Sequence, residues 1–126
     1  MTIIFVSSAR TQPALIMVIS DLPANLLETL HKNNFGQYTG SGTNELGTDF
    51  MSTNDISGGN SGSPIMNGNG ELIGLAFDGN YEALSHQLAF DKDLNRAINV
   101  DIRYVLWCID KLGGASNIIK ELTLRK

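Results

Sequence analysis

The sequence predicts a mostly β domain closed by helices at its carboxyl end, on three observations. Two apolar runs, PIM at 64–66 and ELIGLAF at 71–77, flank the turn Asn67-Gly68-Asn69-Gly70. A short run, FMST at 50–53, precedes them across a glycine-rich stretch that reads GGNSGSP at 58–64. Further on, Ile102, Val105, Leu106 and Ile109 recur with the spacing of one helix face.

The 126 residues suit one domain with a modest core. Nine basic against thirteen acidic residues give a net charge of -4, which argues against nucleic acid or an anionic membrane as partner. Cys108 is the single cysteine, so no internal disulfide is available. It has no second cysteine or tight histidine cluster beside it, so it reads as a packed apolar thiol, and no metal or other cofactor is expected.

Taken in order, residues 1–21 hold two apolar runs, TIIFV and ALIMVIS, split by Arg10 and Pro13. Neither reaches the roughly 18 residues of a membrane span, and no basic segment precedes the first. They read as strands or a junction rather than a signal peptide. DLPANLLETLHKNNFG has helical spacing, with Leu22, Leu26 and Leu30 on one face and Leu27 beside them. Pro23 suits the first turn and Asn34-Phe35-Gly36 a stop. QYTGSGTNELGTD is a loop by composition.

The Asn-Gly pairs between PIM and ELIGLAF tolerate the positive φ of a tight hairpin. QLAF at 87–90 and AINV at 97–100 are further strands, separated by DKDLNR. The terminal helix starts behind Asp101 as cap and ends at Gly113-Gly114; Trp107 is read as core and Tyr104 as core edge. Ser116 is expected to cap a second short helix carrying Ile118, Ile119 and Leu122.

The serine loop is the candidate site. A serine hydroxyl attacks a carbonyl only when a base takes its proton and something holds the charge that forms. Two convergent backbone N–H groups supply the second need. Glycines on both sides of Ser61 allow such a turn without Cβ clashes. Gly59 and Ser61 are placed to offer the two amides, and Gly62 to let a carbonyl approach. The spelling excludes an α/β-hydrolase elbow, because position 63 is serine and a hairpin follows. It excludes a phosphate loop, because no Gly-Lys-Ser/Thr ending is present. Taken alone, the stretch also fits a plain glycine-rich turn.

The wider pattern is more specific. Gly59-Asn60-Ser61-Gly62-Ser63-Pro64, the hairpin, and Ile73-Gly74-Leu75-Ala76-Phe77-Asp78-Gly79 resemble the second barrel of chymotrypsin-type serine peptidases. Ala97 to Trp107 is similar to that fold's last strand entering its terminal helix. TNDISGGNSGSPIMNGNGELIGLAFDGNYEALS and INVDIRYVLWCIDKLGGASNIIKEL resemble the carboxyl-terminal part of the bacterial dipeptidyl-peptidase seven and eleven family. The likeness runs over residues 22–126 and leaves 1–21 as an unassigned segment.

The resemblance implies roles. Ser61 corresponds to the nucleophile, with the amides of Gly59 and Ser61 as oxyanion donors. Phe77 and Asp78 belong to the substrate-binding strand end, and Asp78 stands where the family places the carboxylate that binds the substrate's free α-ammonium. On residue type alone, Asp78-Gly79 reads as a turn. In the family, arginine at the position of Gly79 goes with acidic cleavage residues and glycine with hydrophobic ones, so the seven type is implied. His86 departs from the family's usual small residue and reads as a surface histidine, as His31 reads as a helix-face residue.

A chymotrypsin-type base and its carboxylate come from the first barrel, ahead of the serine. The expectation is therefore a carboxyl-terminal portion that carries the nucleophile, lacks the triad's histidine and aspartate, and is nearly inactive alone. Expected partners are peptide substrates and the first barrel. An uncovered apolar face would favour a homodimer. The family implies a periplasmic, cell-surface or secreted location for the intact protein. The alternatives are a non-catalytic peptide-binding module and a structural domain.

Overall fold

The computed structural model describes residues 24–40, 42, 44–85 and 91–125. The expected strands TIIFV, ALIMVIS and QLAF, and also Leu22, Pro23 and His86, lie outside the described residues. Two compact units are present: residues 47–105 form one, and residues 24–46 with 106–125 the other.

The first unit is an antiparallel sheet of β1 (Asp49–Ser52), β2 (Pro64–Met66), β3 (Leu72–Gly79) and β4 (Ala97–Asp101). Its strand order is β1-β4-β3-β2, so among the described residues the sheet is open, with β1 and β2 at its edges. The alternation expected of strands with one covered face is visible in β4, where Ala97, Asn99 and Asp101 are buried and Ile98 and Val100 only partly so. Phe50, Ile65 and Ala76 form the core, with Ile56 and Ile73 against them. Gly74 passes under Phe50: a Cβ there would lie 2.6 Å from Phe50 Cε1 and 2.6 Å from the Val100 carbonyl oxygen.

The hairpin between β2 and β3 forms as expected, with one difference. Asn67 and Gly70 close a turn (Gly70 N to Asn67 O, 3.0 Å), and Asn67 Oδ1 accepts the amides of Asn69 and Glu71. The positive φ of +77° falls on Gly70 rather than Gly68. This is a three-residue loop with a left-handed last residue, not a two-residue Asn-Gly turn.

Behind β4, Asp101 serves as expected, its Oδ1 accepting the Arg103 amide at 2.8 Å. Helix α2 (Ile102–Trp107) runs into a π turn, Cys108–Leu112. Cys108, at the head of that turn, forms no disulfide and is half-buried.

The second unit contains α1 (Ala24–His31), a 3₁₀ turn at Gly36–Tyr38 and α3 (Ser116–Glu121). Trp107 is fully buried, as the sequence predicts, with its indole N–H on the Asn34 carbonyl at 3.1 Å. Its ring centroid lies 6.0 Å from that of Phe35. Tyr38 is buried, and its hydroxyl donates to Asp110 Oδ2 at 3.1 Å. Asp110 also pairs with Lys111 at 2.9 Å. Ser116 is not a cap: Ala115 holds that position without a side-chain bond, and Ser116 is the first helical residue. Ile119 packs inward, while Ile118 and Leu122 are exposed.

Candidate active site

The serine loop is folded by its own backbone. The Asn60 amide donates to the Ser57 carbonyl (3.1 Å), and the Ser63 amide to the Asn60 carbonyl (2.9 Å). Gly62 and Ser63 then pair with β3: Gly62 N donates to Ala76 O (2.7 Å), and Ala76 N to Ser63 O (2.9 Å). These bonds extend the β2–β3 ladder up to the residue after Ser61 and stop there. Among the described residues the amides of Gly59 and Ser61, two residues apart, donate to no protein acceptor, while the amides of Asn60, Gly62 and Ser63 do.

Gly59 and Gly62 adopt φ of +96° and +85°, where L side chains are strained. A Cβ on either would meet nothing within 4 Å. The glycines are thus required by the turn's backbone conformation, as the sequence reading expected, and not by contact with distant parts of the chain.

The other half of the site is the end of β3. The register between β3 and β4 shifts between Ala76, opposite Asn99, and Asp78, opposite Ile98. Phe77 is the extra residue, and such a bulge re-aims the side chains around it. Phe77 is half exposed and Asp78 exposed, although strict alternation would send neighbours to opposite faces. The Ser61 hydroxyl donates to the Phe77 carbonyl at 3.4 Å, which ties the loop loosely to the bulge. Asp78 Oδ1 accepts the Gly79 amide at 2.8 Å. Among the described residues no cation pairs with the Asp78 carboxylate.

Loop and bulge enclose a cleft of about 190 Å³. Ser61, Phe77, Asp78 and Gly79 all line it. Gly59 does not, although its neighbours Gly58 and Asn60 do. The apolar wall comes from Ile56, Ala76 and Ala83, which the sequence reading did not single out. Asn80 was also missed, and a polar turn residue directly after a strand was the one available signal. The described part of the sheet unit holds no histidine. Its serine is thus set in a loop with two unused donors and shares its cleft with a carboxylate, but without an imidazole among those residues.

Comparison with known proteins places the chain among relatives. The family model for peptidase S46 matches residues 20–124. The chain is 56% identical over 105 residues to dipeptidyl-peptidase 7 of Capnocytophaga gingivalis, covering 82% of this chain and 14% of that relative. It is 52% identical over 81 residues to an Asp/Glu-specific dipeptidyl-peptidase of Shewanella putrefaciens, covering 64% of this chain and 11% of that protein. Among solved structures, Porphyromonas endodontalis DPP11 in complex with substrate superposes with a TM-score of 0.75 at 38% identity, over 80% of this chain and 15% of the other. The chain therefore spans about one seventh of the length of these relatives. With the family model matched over residues 20–124 and more than half of the aligned positions identical to a member, the chain belongs to the peptidase S46 family.

Proposed function

We propose that this chain is the nucleophile-bearing portion of a serine dipeptidyl-peptidase, corresponding to the second barrel of a chymotrypsin-like pair. The observation that carries the reading is one cleft lined by Ser61, Phe77, Asp78 and Gly79, beside two amides that have no protein acceptor among the described residues.

The chemistry follows from those groups. Ser61 Oγ attacks the carbonyl carbon of the second residue of a peptide and gives its proton to a base. The negative charge passes to the carbonyl oxygen, where the amides of Gly59 and Ser61 receive it. Collapse expels the amine of the third residue, protonated by the same base, and leaves a dipeptidyl ester on Ser61. Water then hydrolyses the ester by the reverse sequence. The base, a histidine oriented by a carboxylate, comes from polypeptide outside these residues.

Asp78 measures the chain end. Its carboxylate pairs with the substrate's α-ammonium, a charge-assisted contact that a blocked terminus cannot make. Phe77 contributes its carbonyl and ring to the strand edge against which the peptide lies. Gly79 itself adds no charged side chain to the cleft, and the walls of Ile56, Ala76 and Ala83 favour a hydrophobic side chain at the cleavage residue. The same family reading carries a periplasmic or cell-surface location for the intact protein.

The test compares free-amino and N-acetylated dipeptidyl fluorogenic substrates in the full-length polypeptide. Release is expected from the free-amino form alone, with Ser61→Ala lowering the rate by roughly 10³-fold or more. Equal cleavage of both forms, or full activity in Ser61→Ala, would overturn the reading. An unreactive serine that still binds free-amino dipeptides would favour the non-catalytic module.

A further inference from the structure

We propose that Ala83 is a specificity-determining residue: together with Ile56, its methyl group sets how large an apolar side chain the cleft admits from the cleavage residue. This rests on the dipeptidyl-peptidase reading of the same cleft.

Ala83 is buried, lines the cleft, and sits in the 3₁₀ turn Tyr81–Ser85 that follows β3. A Cβ built on Gly79 would lie 3.0 Å from the Ala83 methyl and 3.9 Å from Ile56 Cδ1. The space beside Gly79 is therefore already bounded by Ala83, and any atom added at either position enters the same volume. Position 83 thus bears on the cleft beside position 79, and no feature of the local sequence announces it.

The wall is also fixed. Asn80 Oδ1 accepts the amides of Ala83 (3.2 Å) and Arg96 (2.9 Å). Asn80 Nδ2 donates to the Leu94 carbonyl at 2.8 Å, and the Asn80 amide to the Arg96 carbonyl at 3.0 Å. One side chain thus clamps the turn to the chain entering β4. With the backbone held, a larger residue at position 83 projects into the cleft instead of moving aside.

The experiment measures kcat/KM in the full-length polypeptide for free-amino dipeptidyl substrates whose cleavage residue is glycine, alanine, leucine or phenylalanine. Ala83→Leu is expected to lower the phenylalanine and leucine values by about tenfold or more while the glycine and alanine values change little. Adding Ile56→Ala should return part of the loss on bulky substrates. Ala83→Gly, which needs no room, should extend the range toward larger side chains. A uniform fall across the series, or no change, would overturn the proposal.

Should the unmutated protein cleave none of these substrates, the peptidase reading fails and binding decides. Titration of the chain with the dipeptides Gly-Phe and Gly-Gly is then expected to show tighter Gly-Phe binding, lost in Ala83→Leu. Equal binding of Gly-Phe to both forms, or none to the unmutated chain, would overturn it.

Discussion

Asp78 shows how much one side chain is asked to do in this site. Its carboxylate is exposed, accepts the next residue's amide and is paired to no described cation, so an ammonium ion would meet an uncommitted charge. A hydrogen bond to a charged group contributes about 1.5–3 kcal/mol. Asp78→Asn is thus expected to lower kcat/KM for free-amino dipeptidyl substrates by roughly 10–100-fold. Steady-state kinetics beside an N-acetylated control, from which neither form should release product, checks this. Ser61 and Asp78 were singled out through the resemblance of the long motifs around them, since on residue type alone the loop also fits a glycine-rich turn and Asp78-Gly79 reads as a turn. Ala83, Ile56 and Asn80 were not singled out, because a methyl or a turn asparagine acquires its role only when the strand end and the loop are brought together.

Among elements, β3 does the most to position the site. Its middle is pressed between Phe50 and the β4 backbone at Gly74, and its end bulges at Phe77 toward the serine loop. Gly74→Ala would force a methyl within 2.6 Å of both a ring carbon and a carbonyl oxygen. Overpacking of that kind costs about 1–3 kcal/mol, and urea unfolding should show a lower midpoint with an unchanged slope. In the helical unit, Asp110 is held below the ordinary carboxylate range, chiefly by its bond to Lys111 and secondarily by the Tyr38 hydroxyl. A depressed carboxyl contributes its stabilisation above its unfolded pKa and loses it as pH falls through the folded value. Acid should therefore loosen this unit, and Asp110→Asn should flatten that limb in a thermal series taken below about pH 5. The presence of helices at 24–31, 102–107 and 116–121 and of the β2–β3 hairpin was legible because their signals are local. The bulge, the π turn and the pairing of β1 with β4 were not, since each is decided by contacts between distant segments.

At the scale of the whole molecule, the described chain leaves a good deal of apolar surface in water. On the sheet unit Met66 and Leu72 stand opposite each other in register and are exposed, and Phe77, Tyr81 and Leu94 add to them. Scattered exposure is ordinary, but a contiguous apolar patch on a lone chain invites a partner. The isolated 126-residue chain is expected to enhance the fluorescence of a hydrophobic dye, and Met66→Ser with Leu72→Ser to reduce it. A signal unaffected by those changes would place the sticky surface elsewhere. The four-stranded sheet order was not readable from sequence, because β1 and β4 are separated by the hairpin and the whole serine loop.

The account turns on Ser61 being the atom that attacks. Treatment of the full-length polypeptide with a fluorophosphonate, followed by peptide mass mapping, tests that most directly. A single adduct on Ser61, slowed by a free-amino dipeptide and not by its acetylated form, is the result expected. Stoichiometric labelling at another serine, in a protein that still releases dipeptides, would contradict it.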